Sequence, residues 1–335
     1  MSHGAAHESH DRGASPQILG LRSVVLEAVR GFFSRRGFVE VETPSVVSAP
    51  GQEAHLEPIS LSGGRGWLIT SPEHHMKRLL ARGGLTKIYQ ICRCYRDGER
   101  SDSHRPEFTM VEWYRAHTDY GRIMTDVETL ASEASQAVRT AGSSHWRHEH
   151  SVHVDAPWPR VTVSTAFARF AAIPAECLSS GEAEAFRLAA RATGCRSIDD
   201  GDDWETVFHK LLLERVEPAL AGLRGVHLTE YPAPLAALAR LKSEDRRVAE
   251  RFESYAGGLE LANGFGELTD SRQQRRRFLA ERIRRRQEGR DPLPLDEAFL
   301  RDLDSMPPAS GVALGFDRLV MLATGSRSIA DVIAF

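Results

Sequence analysis

No apolar run among the 335 residues approaches the roughly 20 that a membrane-crossing helix needs. Cysteine is scarce: Cys92, Cys94, Cys177 and Cys195 are too few and too irregular for a disulfide scaffold, and they lack the paired C-x-x-C spacing of a zinc site. A reducing cytoplasm is the compartment expected from this usage. Positive charge is not in excess either. Lys+Arg 43 against Asp+Glu 46 leaves a net charge of −3, so the chain as a whole offers no basic field for long nucleic acid, and any such contact must be local. No internal repeat is found, nor a second apolar core set off by a linker. What is present, 41% hydrophobic and 27% charged residues, is the composition of an ordinary folded protein, which excludes fibrous and disordered classes. The length allows two domains or one large α/β or α+β domain, and one catalytic domain fits better.

The first residues, Met1 to Ser15, mix His, Gly, Ser and charge without an apolar segment. A disordered tail through residue 17 is expected, with no chemistry at His3, His7 or His10. From Ile18 to Phe38, Leu21, Val25, Leu26, Val29, Phe32 and Phe33 recur at helical spacing. Phe38 to Pro44 then alternates like an edge strand, a pairing of elements suited to a dimer interface. Ser71-Pro72-Glu73 reads as a helix start, with a Ser cap, Pro at the first helical position and a carboxylate at the positive end of the dipole. Ile88 to Arg96 and Glu107 to Tyr114 read as a long-looped antiparallel hairpin. Residues 162 to 218 form a helical insertion whose clearest helix, Trp204 to Val216, is ended by Pro218. Strand character returns at Gly225 to Tyr231 and Tyr255 to Asn263. The chain closes with the strand Val312 to Leu314 and a helix from Asp317 to Ala323 stopped by Gly325. Distant strands flanked by helices predict an α+β fold with a mostly antiparallel sheet.

Three segments carry a resemblance. They are the helix and strand ending Gly37-Phe-Val-Glu-Val-Glu-Thr-Pro44; Cys92-Arg-Cys-Tyr-Arg96 through His104-Arg-Pro-Glu-Phe-Thr-Met-Val-Glu-Trp-Tyr114; and Gly311-Val-Ala-Leu-Gly-Phe-Asp-Arg318. Together they resemble the three signature motifs of class II aminoacyl-tRNA synthetases. Thr70-Ser-Pro-Glu73 and Glu260-Leu-Ala-Asn263 with Glu267 add detail of the lysyl branch. Within that branch the chain is similar to the elongation factor P (R)-β-lysine ligases, because neither the short segment before Ile18 nor the 17 residues after Arg318 has room for an anticodon-binding barrel. The resemblance implies a class II catalytic fold from residue 18 onward, ATP and Mg²⁺ as cofactors, (R)-β-lysine as donor, elongation factor P as acceptor and a homodimer. No tRNA or membrane partner is expected.

Adenylation of a carboxylate by ATP needs cations at the α-phosphate and at the departing pyrophosphate, and planar guanidinium groups suit that work. The resemblance assigns Arg96 to the substrate carboxylate and α-phosphate and Arg318 to the terminal phosphate. It places Asp97, Gly98, Glu99, Arg105, Phe108, Leu261 and Gly315 around the nucleotide. Glu260 and Glu267 are the implied magnesium ligands, and Glu267 is a substrate contact as well. Strict alternation would put positions 260 and 267 on opposite faces, so a shared site requires a bulge, expected at Gly264 or Gly266. Glu112 and Tyr114, two apart on a strand, point to one side. The resemblance assigns them to the terminal ammonium of lysine, Glu73 with Ser71 and Pro72 to the backbone amino group, and Asn263 to the carboxylate. Cys92 and Cys94 share a face of their own strand with Arg96 and read as packing.

Two departures stand out. Gly98 occupies the position where synthetases carry the Glu of Arg-x-Glu, which leaves the adenine contact to Glu99 or to backbone, and Arg105 stands where the ligases often have Asn. Ala313 replaces the middle glycine of Gly-x-Gly-x-Gly, so a methyl group intrudes on the pocket, and the expectation is that it disfavours α-lysine relative to β-lysine. The arginine-dense segment Ser271 to Arg290 has Phe278, Leu279 and Ile283 at apolar helical positions. It reads either as a solvated face or as a docking surface for an acidic partner, protein or RNA. A tRNA-charging enzyme and a noncatalytic lysine- or adenylate-binding paralogue are the rival functions.

Overall fold

The structure, a computed structural model, describes residues 13–53, 56–142, 154–179 and 181–335. The segment through residue 12 and the histidine-rich stretch 145–153 lie outside the described residues. Helix α1 (Pro16–Arg35) starts two residues earlier than its periodicity indicates, because Ser15 accepts a hydrogen bond from the Ile18 N–H and proline occupies the first position. Ala14 is tied to the carboxyl-terminal segment through the Ile333 carbonyl at 2.7 Å, so order extends into the expected tail. Of the alternating segment that follows, only β1 (Val39–Glu40) pairs, in parallel with β4 (Lys87–Tyr95) at the sheet edge.

A small hairpin, β2 (Val46–Val47) and β3 (Trp67–Leu68), leads to α2 (Glu73–Ala81). Here Pro72, not Ser71, is the capping residue, while the Ser71 hydroxyl accepts weakly from the Glu73 N–H at 3.4 Å. The expected long hairpin is β4 (Lys87–Tyr95) and β5 (Glu107–Ala116), followed by α3 (Tyr120–Ala141). After β6 (Arg160–Thr162) comes the helical insertion: α4 (Val163–Ala166), α5 (Ala175–Ser179), α6 (Ala183–Ala192), α7 (Trp204–Leu211) and α8 (Glu217–Leu220). Pro218 does not end this region as expected. It sits in the first turn of α8, where no backbone N–H is needed, after a π-helical segment Leu212–Val216. Phe167, Phe186 and Phe208 give the insertion its own apolar cluster, joined to the sheet through Val226, Leu228 and Tyr255.

Strand β7 (Val226–Thr229) then pairs with β8 (Arg251–Ala256), and β8 with β9 (Leu259–Gly266). The single strand expected over Tyr255 to Asn263 is thus the heart of a hairpin. Gly257 and Gly258 both take left-handed φ, +58° and +78°, and reverse the chain within an otherwise apolar run. Helices α9 (Ser271–Gln287) and α10 (Glu297–Leu303), strand β10 (Ala309–Gly315) and helix α11 (Phe316–Thr324) complete the fold. In α9 only Phe278 of the expected apolar face is buried; Leu279 and Ile283 are 42% and 55% exposed. Arginines dock this helix instead. Buried Arg285 pairs with Glu57 at 3.0 Å, Arg277 donates to the Ala237 and Ala239 carbonyls, and Arg284 pairs with Glu205 on α7.

All strands but β2 and β3 form one sheet in the order β1-β4-β5-β10-β9-β8-β7-β6, antiparallel except at its two edges. One face, carrying Val111, Trp113, Val312, Leu314 and Phe252, is sealed by α1, α3 and α11. The alternate residues face the other way, and they include nearly every side chain singled out above.

Candidate active site

The register of β8 on β9 decides what the open face presents. Glu253 pairs with Asn263 and Ser254 with Ala262, but Tyr255 pairs with Glu260, leaving Leu261 as one extra residue on β9. Both Leu261 and Ala262 then turn into the helix-covered core, and Glu260 swings back to the side of Asn263 and Glu267. The bulge required by the positions of Glu260 and Glu267 therefore exists, at Leu261 and not at Gly264 or Gly266. Gly264 lies where a Cβ would strike the Phe252 ring at 2.5 Å, so glycine there serves close packing. The Leu261 side chain, expected at the nucleotide, is in the opposite layer, and only its backbone can reach the open face.

At one end of that face two guanidinium groups meet. Asp317 is buried, accepts from the Thr109 N–H at 2.8 Å and pairs with Arg22 at 2.6 Å, which fixes the start of α11 against β5. Arg318 next to it donates to the Glu260 carbonyl at 2.6 Å, to His104 Nε2 at 2.6 Å and to the Ser103 carbonyl at 3.3 Å. Burial and the neighbouring Arg318 hold His104 below its usual pKa, so a neutral ring accepts at Nε2 and keeps its proton on Nδ1 toward Ser101. Arg96 lies over the Phe108 ring, 5.0 Å from its centroid, and 3.7 Å from Glu99, with its Nε buried and unpartnered. Burial and Glu253 push the Glu260 carboxyl above its ordinary pKa, while Arg318 and Arg96 pull it down, so all four groups share one electrostatic environment.

At the other end stand carboxylates. Glu112 and Tyr114 do share a side, and the Tyr114 hydroxyl donates to Glu112 Oε1 at 2.6 Å. Burial, then nearby Glu73, drives the Glu112 pKa well up; burial and Glu112 do the same to Tyr114. Between Glu73 and Glu267 lies a fully buried ammonium, that of Lys77, 2.5 Å from each. Burial pushes Glu267 up to about 7 against the pull of Lys77. Burial would lower Lys77, but its two carboxylates outweigh it and hold the lysine above its ordinary value. Glu267 Oε1, Glu112 Oε2 and Asn263 Oδ1 are buried without a hydrogen-bond partner, as is Glu53 Oε2 near Glu73. Buried unpaired acceptors gathered at one end of a sheet face are what a polycationic ligand would satisfy. Gly311 admits no side chain, since a Cβ would come within 2.3 Å of the Tyr114 ring and 2.8 Å of Glu267 Oε1.

A family model described as tRNA synthetases class II (D, K and N) matches residues 9–335. The elongation factor P–(R)-β-lysine ligase of Edwardsiella ictaluri (strain 93-146) is 39% identical over 323 residues, covering 94% of this chain and 93% of that one. The chain belongs to the class II tRNA synthetase family. It is accordingly an ATP-dependent ligase built on the α+β, mostly antiparallel class II domain that its three motifs led us to expect.

For this class II enzyme, Arg96, Phe108, Glu99, Glu260 and Arg318 come together at one end, and Glu73, Glu112, Tyr114 and Glu267 at the other. Ala313 lies between them, paired with Glu112 on one side and Asn263 on the other, and packs with Met110 and Cys94. Gly315 lies beside the Arg318 stem, where a Cβ would sit 3.5 Å from Cδ. Arg105 does not join them: its guanidinium binds the Ser101 and His104 carbonyls of its own loop. Asp97 caps the Gly98 N–H, and Gly98 sits at φ +75°, a left-handed turn that explains glycine there.

Glu267 is not Glu260's partner. Along a strand the two Cα atoms stand about 20 Å apart, and Glu267 is committed to Lys77. The carboxylates felt by Glu260 are Glu253, across the hairpin, and Glu217 from α8. Buried Glu253 accepts from the Tyr231 and Tyr255 hydroxyls at 2.5 and 2.6 Å and from Arg251 at 2.8 Å. Among the described residues no cluster of three or more His, Cys, Asp or Glu forms a closed metal site. An open carboxylate pair does fit magnesium, which takes one or two protein carboxylates and fills the rest with phosphate and water. The sequence reading missed Lys77, His104, Glu53 and Glu253. Lys77 had a signal in its four-residue spacing from Glu73 on one helix; Glu253 had none without the strand register.

Proposed function

We propose that the protein adenylates (R)-β-lysine with ATP and transfers the acyl group to the ε-amine of a lysine on elongation factor P. The observation that carries this reading is the division of one sheet face into a guanidinium end and a carboxylate end, with the chain similar over almost its whole length to a ligase of that name. In the first step a substrate carboxylate oxygen bonds to the α-phosphorus and pyrophosphate leaves. Arg96 sets the carboxylate against the α-phosphate, and Arg318 takes the charge of the leaving group, with neutral His104 orienting it. Magnesium, held by Glu260 with Glu253 beside it and by the phosphates, would neutralise the triphosphate. Glu112 with Tyr114 binds the terminal ammonium, Glu73 the amine nearer the carboxyl, and Asn263 the carboxyl end.

In the second step the acceptor ammonium first gives up a proton, the free amine attacks the carbonyl, an amide forms, and AMP leaves as the nitrogen releases its second proton. A free lysine amine is protonated at neutral pH, so the acceptor must lose a proton at attack, and the departing phosphate is the base at hand. The methyl of Ala313, set between Glu112 and Asn263, favours a β-amino acid over α-lysine; Ala313→Gly should shift the preference toward α-lysine, and an unchanged preference would refute this role. A second copy is expected at the α1–β1 edge, where Val39 is exposed. Sedimentation of the pure protein as a monomer would count against it.

The deciding experiment supplies ATP, α-lysine or β-lysine, and either elongation factor P or bulk tRNA, and weighs each acceptor by mass spectrometry. A mass gain on the protein is expected. Gain on tRNA alone would make this a charging enzyme, and no adenylate at all a binding paralogue.

A further inference from the structure

Among the described residues Lys77 is the one cation ion-paired with the carboxylates of the amine end, and nothing in the chemistry of adenylation calls for it. Its side chain is 0% exposed, and its ammonium lies 2.5 Å from both Glu73 Oε1 and Glu267 Oε2. Those carboxylates serve different parts of the pocket. Glu73 enters from the first turn of α2, while Glu267 follows the end of β9 and shares the Gly311 wall with the Tyr114 ring. A single ammonium touching both fixes Glu73, the site of one substrate amine, against the Gly311 wall on which the other site, Glu112 with Tyr114, is built. It also leaves acceptors free on the pocket side, since Glu267 Oε1 and Glu112 Oε2 remain unpartnered. Glu112, the third carboxyl of this end, accepts from the Tyr114 hydroxyl, and Glu53, the further carboxyl near Glu73, lies in the field of Arg96.

We propose that Lys77 is a positioning residue that acts as a ruler, spacing Glu73 from Glu267 so that the pocket selects a diamino acid by the distance between its two amino groups. This rests on the reading that the pocket holds a lysine-type substrate. A lysine needed only for folding would affect all substrates alike; a ruler affects the choice among chain lengths.

The test is pyrophosphate exchange with the preferred lysine isomer, its homologues one methylene shorter and one longer, and 6-aminohexanoate, measured on wild type, Lys77→Met and Lys77→Arg. Wild type should prefer the lysine isomer over each analogue. Lys77→Met, unbranched, uncharged and one atom shorter, should lower the ratio of kcat/KM for the lysine isomer over its shorter homologue at least 10-fold, with KM for ATP within about twofold. Lys77→Arg keeps the charge and, with its wider head group, should move the preference toward the longer homologue. Should Lys77→Met fail to fold, the arginine variant decides by the same ratio. Length ratios within twofold of wild type in a folded variant would overturn the proposal. A wild type with no preference for diamino acids would instead overturn the functional reading beneath it.

Discussion

Arg318 and Lys77 are cations on the same side of the same sheet, yet their surroundings differ. Arg318 keeps 17% of its side chain exposed and spends its donors on two carbonyls and a neutral histidine, with only a long 3.4 Å contact to a carboxylate. Lys77 is sealed and its charge is consumed by two carboxylates. A cation oriented by neutral groups keeps its field for an incoming phosphate, whereas a cation that is itself neutralised can only hold geometry. The two ends of the face follow the same division, and in the proposed function one receives negative charge and the other positive charge.

The widest gap between the ends should appear on removing Arg318. Arg318→Ala is expected to slow pyrophosphate exchange by about 10²- to 10³-fold, the scale of losing one preorganised charge donor, while calorimetry shows amino-acid binding little changed. A comparable loss of amino-acid binding would mean that the ends are not separate. From the other side, Glu112→Gln should raise KM for the amino acid by about 10- to 100-fold, as expected for a charge-assisted hydrogen bond, and leave KM for ATP unchanged. Gly311→Ala tests how tightly the amine end is built. With the Tyr114 ring 2.3 Å from the new methyl, a loss of about 1–3 kcal/mol in denaturant stability is expected, together with weaker amino-acid binding.

The smallest effect is in pH. Glu217 and Glu267 are both pushed up to about 7 from an ordinary 4.5, so the folded protein holds protons that the unfolded chain has released. Their contribution is complete below about pH 4.5 and is lost as pH rises through 7, so the unliganded enzyme should melt lower at pH 8 than at pH 5. Glu217→Gln should remove part of that slope, by about 2 °C in Tm. A slope unaltered in the variant would remove Glu217 from the cause.

Much of the face was readable from the chain. Two-residue spacing put Glu112 and Tyr114 together, and the motif around Arg96 and that ending at Arg318 fell on the expected strands and helix. Alternation also showed that a bulge was needed. Its place could not be read, because it depends on how β8 registers with β9, and no local residue encodes that register; the glycines at 264 and 266 answer to the bulk of Phe252 and Glu250 instead. The same register brings Glu253 to Glu260, which left the pairing of Glu260 with Glu267 as the natural but mistaken reading. Long arginine side chains hid the docking of α9, since helical apolar spacing carries no trace of Arg285 reaching Glu57.

Leu261 couples the parity of the chain to the chemistry it carries. Were Leu261 instead to pair regularly with Tyr255, alternation would be unbroken and Glu260 would turn into the greasy layer under α11, with Arg318 deprived of the carbonyl that steadies it. Every other charged group would keep its address, and the pocket would still grip an amino acid it could no longer activate.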